Sequence, residues 1–195
     1  MTGSLNETET KIYELARPYL AIRNNDNHTS KAVDFTLRLL ETGRGDRDIA
    51  VPAAILHDVG WSRVPEDIML KAWGPEKDDN LTRIHEREGV KIAAGILKQA
   101  GYDGARLAGI LQIISEHDTG QGATSVNDEI VKDADKLTRY TEDFWFIVES
   151  FSYEPMDFYR RMQDFARHWF FLPLSREIAE EELRKRWREI AAKAS

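Results

Sequence analysis

The chain contains no cysteine. That absence excludes disulfides, thiolate nucleophiles, zinc fingers and thiolate-ligated iron–sulfur clusters. It fits a reducing compartment, and the expected location is cytoplasmic. No apolar run approaches the roughly 18 residues that a membrane span requires. The first ten residues, from Met1-Thr2-Gly3 to Glu9-Thr10, are polar and lack the apolar stretch of a secretory signal. Basic charge is in deficit, since 27 lysines and arginines face 34 acidic residues and the net charge is −7. Such a chain repels phosphate backbones, so no nucleic-acid polymer is expected as a partner. A small phosphorylated ligand stays compatible, because a metal or a few cations can dominate one site locally. Internal repeats, low-complexity tracts and strand-like alternation are also missing.

What remains is 195 residues, 42% hydrophobic and 31% charged. That suits one domain, 1–195, with a real core. Its long segments have a helical period. Ile12, Leu15, Ala16, Tyr19 and Leu20 form one face, and Val33, Phe35, Leu37, Leu39 and Leu40 belong to a second helix. Gly43-Arg44-Gly45-Asp46 ends that helix. Asp48 can cap a third helix through Leu56, and Thr82 a fourth running to Ala100. Residues 61–80 carry two prolines, two tryptophans and many charges. They read as a long loop with one short helix, Asp67 to Ala72. Asn127 can cap a helix with Ile130, Val131, Ala134 and Leu137 on its apolar face. Asp133 and Asp135 flank that face, and periodicity does not choose between them. Aromatic clusters and a charged helix, Arg176 to Lys193, fill the C-terminal third, expected to cover the core or to form a homodimer contact.

The focal point is His57-Asp58. It ends the apolar stretch Ala50-Val51-Pro52-Ala53-Ala54-Ile55-Leu56. A carboxylate carried inward by such a stretch needs a charge partner or a metal. An imidazole beside a carboxylate is a ligand set for a divalent transition metal. His85 shares a face with Gly89, Ile92 and Ile96. His117 ends the stripe of Leu107, Ile110, Leu111, Ile113 and Ile114. His28 opens the second helix.

In order, the chain reads His28, His57-Asp58, His85, His117, then Asp133-Ala134-Asp135. This order resembles the HD-domain superfamily of metal-dependent phosphohydrolases. Ala53-Ala54-Ile55-Leu56-His57-Asp58-Val59-Gly60 resembles its apolar-then-HD-then-glycine signature. His85-Glu86-Arg87-Glu88-Gly89 and Ile113-Ile114-Ser115-Glu116-His117-Asp118 resemble the motifs that carry two extra ligands. Val131-Lys132-Asp133-Ala134-Asp135-Lys136-Leu137 resembles the closing Ala-Asp-x-Leu motif. The resemblance covers residues 24 to 140.

It implies an all-α helical bundle with a metal site in its core and extra C-terminal helices over 141–195. It implies that His28, His57, Asp58 and Asp135 hold one ion and that His85 and His117 hold a second, with Asp58 bridging. Asp133 is then left as surface charge. Iron, manganese, cobalt, nickel or zinc suit imidazole and carboxylate donors. The implied activity is hydrolysis of a phosphate ester or anhydride on a nucleotide or other small metabolite, with Asp58 catalytic and an activated water as nucleophile. Glu86, Glu116 and Asp118 are candidates to orient the histidines. Arg63, Lys31 and Lys136 lie near the ligands in sequence and are the candidate phosphate-binding cations.

Two departures bear on the branch. Where many members carry lysine after the HD-x-Gly segment, Trp61 stands here. There is no Gly-Tyr-Pro motif. Both weigh against the cyclic-dinucleotide phosphodiesterase branch, and the first against the diadenosine tetraphosphatase branch. The same six ligands also resemble the di-iron oxygenases of this fold, myo-inositol oxygenase and the phosphonate-cleaving enzyme among them, in which Tyr19 could reach a metal. A third possibility is a non-catalytic module that senses a nucleotide.

Overall fold

Three of the helices start where a short polar side chain, Asn6, Asp46 or Asp78, takes up a free backbone N–H group. The structure, a computed structural model, describes residues 4–22, 25–65, 68, 78–145 and 154–193. Helix α1, Glu7–Leu20, opens with a reciprocal cap. Asn6 Oδ1 accepts the Glu9 N–H at 2.9 Å, and Glu9 Oε2 accepts the Asn6 N–H at 2.7 Å. Glu9 is nonetheless buried, and its charge is met by Arg47 Nε at 2.7 Å and Nη2 at 2.8 Å. Helix α2, Asn25–Leu40, is tied to α1 by the Tyr13 hydroxyl, which donates to Asp26 Oδ1 at 3.0 Å.

Gly43 and Gly45 have φ of 75° and 84°, backbone that favours glycine. They turn the chain into α3, Arg47–Leu56. Its cap is Asp46 rather than the expected Asp48. The Asp46 carboxylate accepts the Asp48 N–H at 2.9 Å. From Ala50 to Leu56 every residue of α3 is buried, because neighbouring helices cover all its sides. A 3₁₀ helix, Val59–Arg63, follows at once.

Helix α4, Asp79–Gln99, is capped by Asp78, so Thr82 lies inside it rather than at its start. Helix α5 is Gly104–Glu116, and helix α6 is Val126–Thr138. Ser125 Oγ accepts the Asp128 N–H at 3.2 Å. Asn127, expected to cap α6, instead accepts the Asp46 N–H at 2.6 Å. Helices α7, Pro155–His168, and α8, Pro173–Lys193, complete the described elements. No strand occurs among the described residues, so the chain is all-α. No described helix is long and apolar enough to cross a membrane. The short helix expected at 67–72 lies outside the described residues, apart from Ile68.

The chain divides into two units, Met1–Lys132 and Asp133–Ser195. In the first, α3 packs against α1, α2 and α5, while α4 packs against α5 and the 3₁₀ helix. The second contains the α7–α8 pair, around Tyr140, Met162, Ala166, Ile178 and Leu183. Here one expectation fails. Asp133 is not surface charge; it is fully buried. Its carboxylate accepts the backbone N–H groups of Phe171, at 3.0 Å, and Leu172, at 2.8 Å, just before α8. Those donors lie ahead of Pro173, which has none, and a buried carboxylate is satisfied by them.

Candidate metal centre

Two helices of the first unit end in the same way. His57 follows α3 and His117 follows α5, each in the C-cap position. The last carbonyls of a helix lack partners within it. His57 Nδ1 bonds the Ala54 carbonyl at 2.8 Å, and His117 Nδ1 bonds the Ile114 carbonyl at 2.8 Å. His85 repeats the contact inside α4, with Nδ1 2.7 Å from the Thr82 carbonyl. A carbonyl only accepts, so each Nδ1 carries the hydrogen. In the neutral ring, Nε2 is then left as a bare acceptor. Backbone carbonyls, not the acidic residues expected from sequence, orient these rings.

The Nε2 atoms converge in pairs. His28, from the first turn of α2, places Nε2 3.1 Å from His57 Nε2. His85 and His117 bring theirs to 3.2 Å. Asp58 lies between the pairs and divides its carboxylate. Oδ2 is 3.4 Å from His28 Nε2 and 3.5 Å from His57 Nε2. Oδ1 is 3.4 Å from His85 Nε2 and 3.6 Å from His117 Nε2. Two groups that could each hold a cation result: His28, His57 and Asp58, and Asp58, His85 and His117. Facing imidazole acceptors beside a carboxylate repel one another unless a cation or a proton lies among them. The donor set therefore fits divalent transition metals.

Electrostatics agree. Burial acts to raise the Asp58 pKa, but the charge of His57 and the hydrogen bonds with His117 and His85 hold it well below the ordinary value. Burial opposes a charge on His117, yet the bond to Asp58 and the nearby Asp118 push its pKa up to about 10. In the metal-free protein a proton on His117 supplies the positive charge that this group of acceptors needs.

Trp61 is the residue whose role the sequence reading missed. Its indole N–H donates to Asp58 Oδ1 at 3.1 Å. Its ring stacks on His85, with centroids 4.1 Å apart and planes 13° apart. A signal was available: in a 3₁₀ helix, residues three apart eclipse, and Trp61 is three residues after Asp58. Gly60 explains the close approach. A Cβ there would overlap the backbone carbonyl of His85 and come within 2.6 Å of Gly89 N. Asn25 Nδ2 donates to the Asp58 carbonyl at 3.3 Å, which brings the start of α2, and so His28, to the HD turn.

The other candidates fall in different places. Arg63 is exposed and lines a cleft of about 510 Å³ with Tyr19, Glu88, Lys91 and Gln99. Lys31 is partly buried on α2, where its charge acts on Asp34. Lys136 belongs to the second unit, and its ammonium donates to the Trp169 carbonyl at 2.9 Å and lies over the Phe171 ring. Asp135, also in the second unit, is paired with Arg139 at 3.7 Å.

A family model for the HD domain matches residues 25–140 of this chain. No curated protein matches it. Among solved structures, the crystal structure of a predicted HD superfamily hydrolase from an uncultured Thermotogales bacterium is similar, with a TM-score of 0.64 and 21% identity. The similarity covers 95% of this chain and 92% of that one, and at this identity it shows the fold.

Proposed function

This chain belongs to the HD-domain family, and from that premise we propose that it is a metal-dependent phosphohydrolase acting on a phosphate ester or anhydride of a nucleotide or other small metabolite. One observation carries the proposal: the Asp58 carboxylate gives one oxygen to each of two imidazole pairs. His28, His57 and Asp58 Oδ2 would hold one cation. His85, His117 and Asp58 Oδ1 would hold the other. A bound pair of divalent ions would supply Lewis acidity toward a phosphoryl oxygen and acidify a water. The solved neighbour, described as a predicted hydrolase, supports the reaction class.

The protein groups do the rest. Nδ1-to-carbonyl bonds hold three imidazoles with Nε2 inward. Trp61 fixes the plane of the Asp58 carboxylate through its N–H. His117 would hold a cation through the Nε2 atom that carries a proton in its absence. Arg63 and Lys31 are the first-unit candidates to orient a phosphate.

The test is elemental analysis of the purified protein, followed by phosphatase and phosphodiesterase substrates with several divalent metals. Two ions per chain and release of phosphate are expected, with both lost in Asp58→Ala. Turnover retained in Asp58→Ala would overturn the reading. Less than one ion per chain after reconstitution would replace it by a sensing module. Oxygen uptake by the iron-loaded protein with polyols or hydroxyphosphonates, without phosphate release, would replace it by an oxygenase.

A further inference from the structure

We propose that Asp118 is a further metal ligand, added to the position formed by Asp58 Oδ1, His85 and His117. The inference rests on the reading of the centre as two cation positions and goes beyond the six ligands that the sequence pattern supplies. Asp118 Oδ2 lies 3.8 Å from His85 Nε2 and 3.9 Å from His117 Nε2. Among the other three donors, His85 to His117, His85 to Asp58 and His117 to Asp58 are 3.2, 3.4 and 3.6 Å apart. Donors bonded at about 2.1 Å to one ion lie roughly 3.0 Å apart when adjacent in an octahedron, roughly 3.4 Å apart in a tetrahedron and roughly 4.2 Å apart when opposite. These five of the six separations among the four donors fall inside that range.

A second observation concerns how Asp118 is held. Glu86 is 3% exposed, and both its oxygens are committed to the turn after α5. Oε1 accepts the backbone N–H groups of Asp118 and Thr119, each at 3.0 Å. Oε2 accepts the Thr119 hydroxyl at 2.7 Å. Glu86 is the residue after His85. One pair of neighbours on α4 therefore supplies an imidazole to the centre and fixes the main chain that carries Asp118. A carboxylate buried to hold a turn in place is a costly device for a residue that only meets solvent.

Charge balance points the same way. Two neutral imidazoles and a half share of Asp58 leave a divalent cation poorly compensated in a buried position. Asp118 adds one negative charge at the partly open edge, where its side chain is 27% exposed.

Asp118→Asn tests this, because it keeps the size and the backbone bonds while removing the charge. Chelator-treated protein is titrated with Mn2+ or Zn2+ by calorimetry, and bound metal is counted by elemental analysis. The wild-type protein is expected to take two ions. The Asn variant is expected to keep one at wild-type affinity and to bind the second roughly 10–100-fold more weakly. Asp118→Glu retains the carboxylate and is expected to recover most of that loss. Two ions bound by Asp118→Asn at wild-type affinity would overturn the role of Asp118 and leave the dinuclear reading standing. Equal losses in the Asn and Glu variants would make its role steric and overturn it as well. A wild-type protein that takes fewer than two ions overturns the dinuclear reading, and this proposal with it.

Discussion

At the scale of single residues, the centre is an arrangement of acceptors awaiting positive charge. His117 shows this most directly. Its pKa in the metal-free protein, about 10, is above the 6.5 of an unperturbed histidine. A pKa raised on folding means that the folded state holds the proton more tightly than the unfolded chain. The stability it contributes is complete below about pH 6.5 and is lost as pH rises through about 10. Chelator-treated protein is therefore expected to unfold at progressively lower urea concentration between pH 7 and pH 10, and metal-loaded protein is not. Unchanged urea midpoints across that range would contradict the proton's place in the cluster. Asp58 acts in the opposite sense. Its lowered pKa contributes stability above the ordinary carboxylate range that is lost only in acid.

At the scale of elements, the centre depends on how closely the 3₁₀ helix lies on α4. Gly60 makes that approach possible, since any side chain there would meet backbone atoms of His85 and Gly89, which cannot swing aside. Gly89 faces the same contact from the other side, but a Cβ on it would stand 3.5 Å from Ile114 Cγ2 and 3.6 Å from Gly60 N, at ordinary contact distance. Two glycines in one interface thus have opposite tolerance. Gly60→Ala is expected to cost about 3 kcal/mol through overpacking and to disturb the Trp61–His85 stack. Gly89→Ala is expected to be neutral or to stabilise by up to about 1 kcal/mol, because alanine is the better helix former. Urea unfolding of both variants is the measurement, and equal losses would refute the distinction. The sequence signalled Gly60 only as part of a motif. It could not say which of the two glycines is sterically required.

At the scale of the molecule, α2, α3, α4 and α5 each deliver one histidine to a common point. Two cations bound there and sharing Asp58 would join four helices that local periodicity treats as independent. Ligands that bind the folded state alone stabilise it by mass action, about 4 kcal/mol at free metal a thousand times Kd. For a chain of this size, that corresponds to a rise of roughly 8–16 °C in Tm. Calorimetry with added Mn2+ or Zn2+, reversed by chelator, is expected to show it. No shift would remove the metal from the folded state's account.

The sequence by itself determined the helical class, the inward direction of His57, His85 and His117, and the presence of imidazole and carboxylate donors without any soft ligand. Those are properties of single segments: apolar spacing along one helix says which face is buried, and composition says which donors exist. Which donors meet is a property of no single segment: the family resemblance implied the grouping, and the tertiary structure brings it about. The pairs His28–His57 and His85–His117 join positions 29 and 32 residues apart, a separation at which helical spacing carries no information. The division of the Asp58 oxygens, the Trp61 stack and the aim of Asp118 were set the same way, by packing between elements. Asp133 makes the reason plain. Its charge reads as a surface feature until two backbone donors 38 and 39 residues away come to rest on its carboxylate, and a buried charge is acceptable only when such partners arrive from elsewhere in the fold.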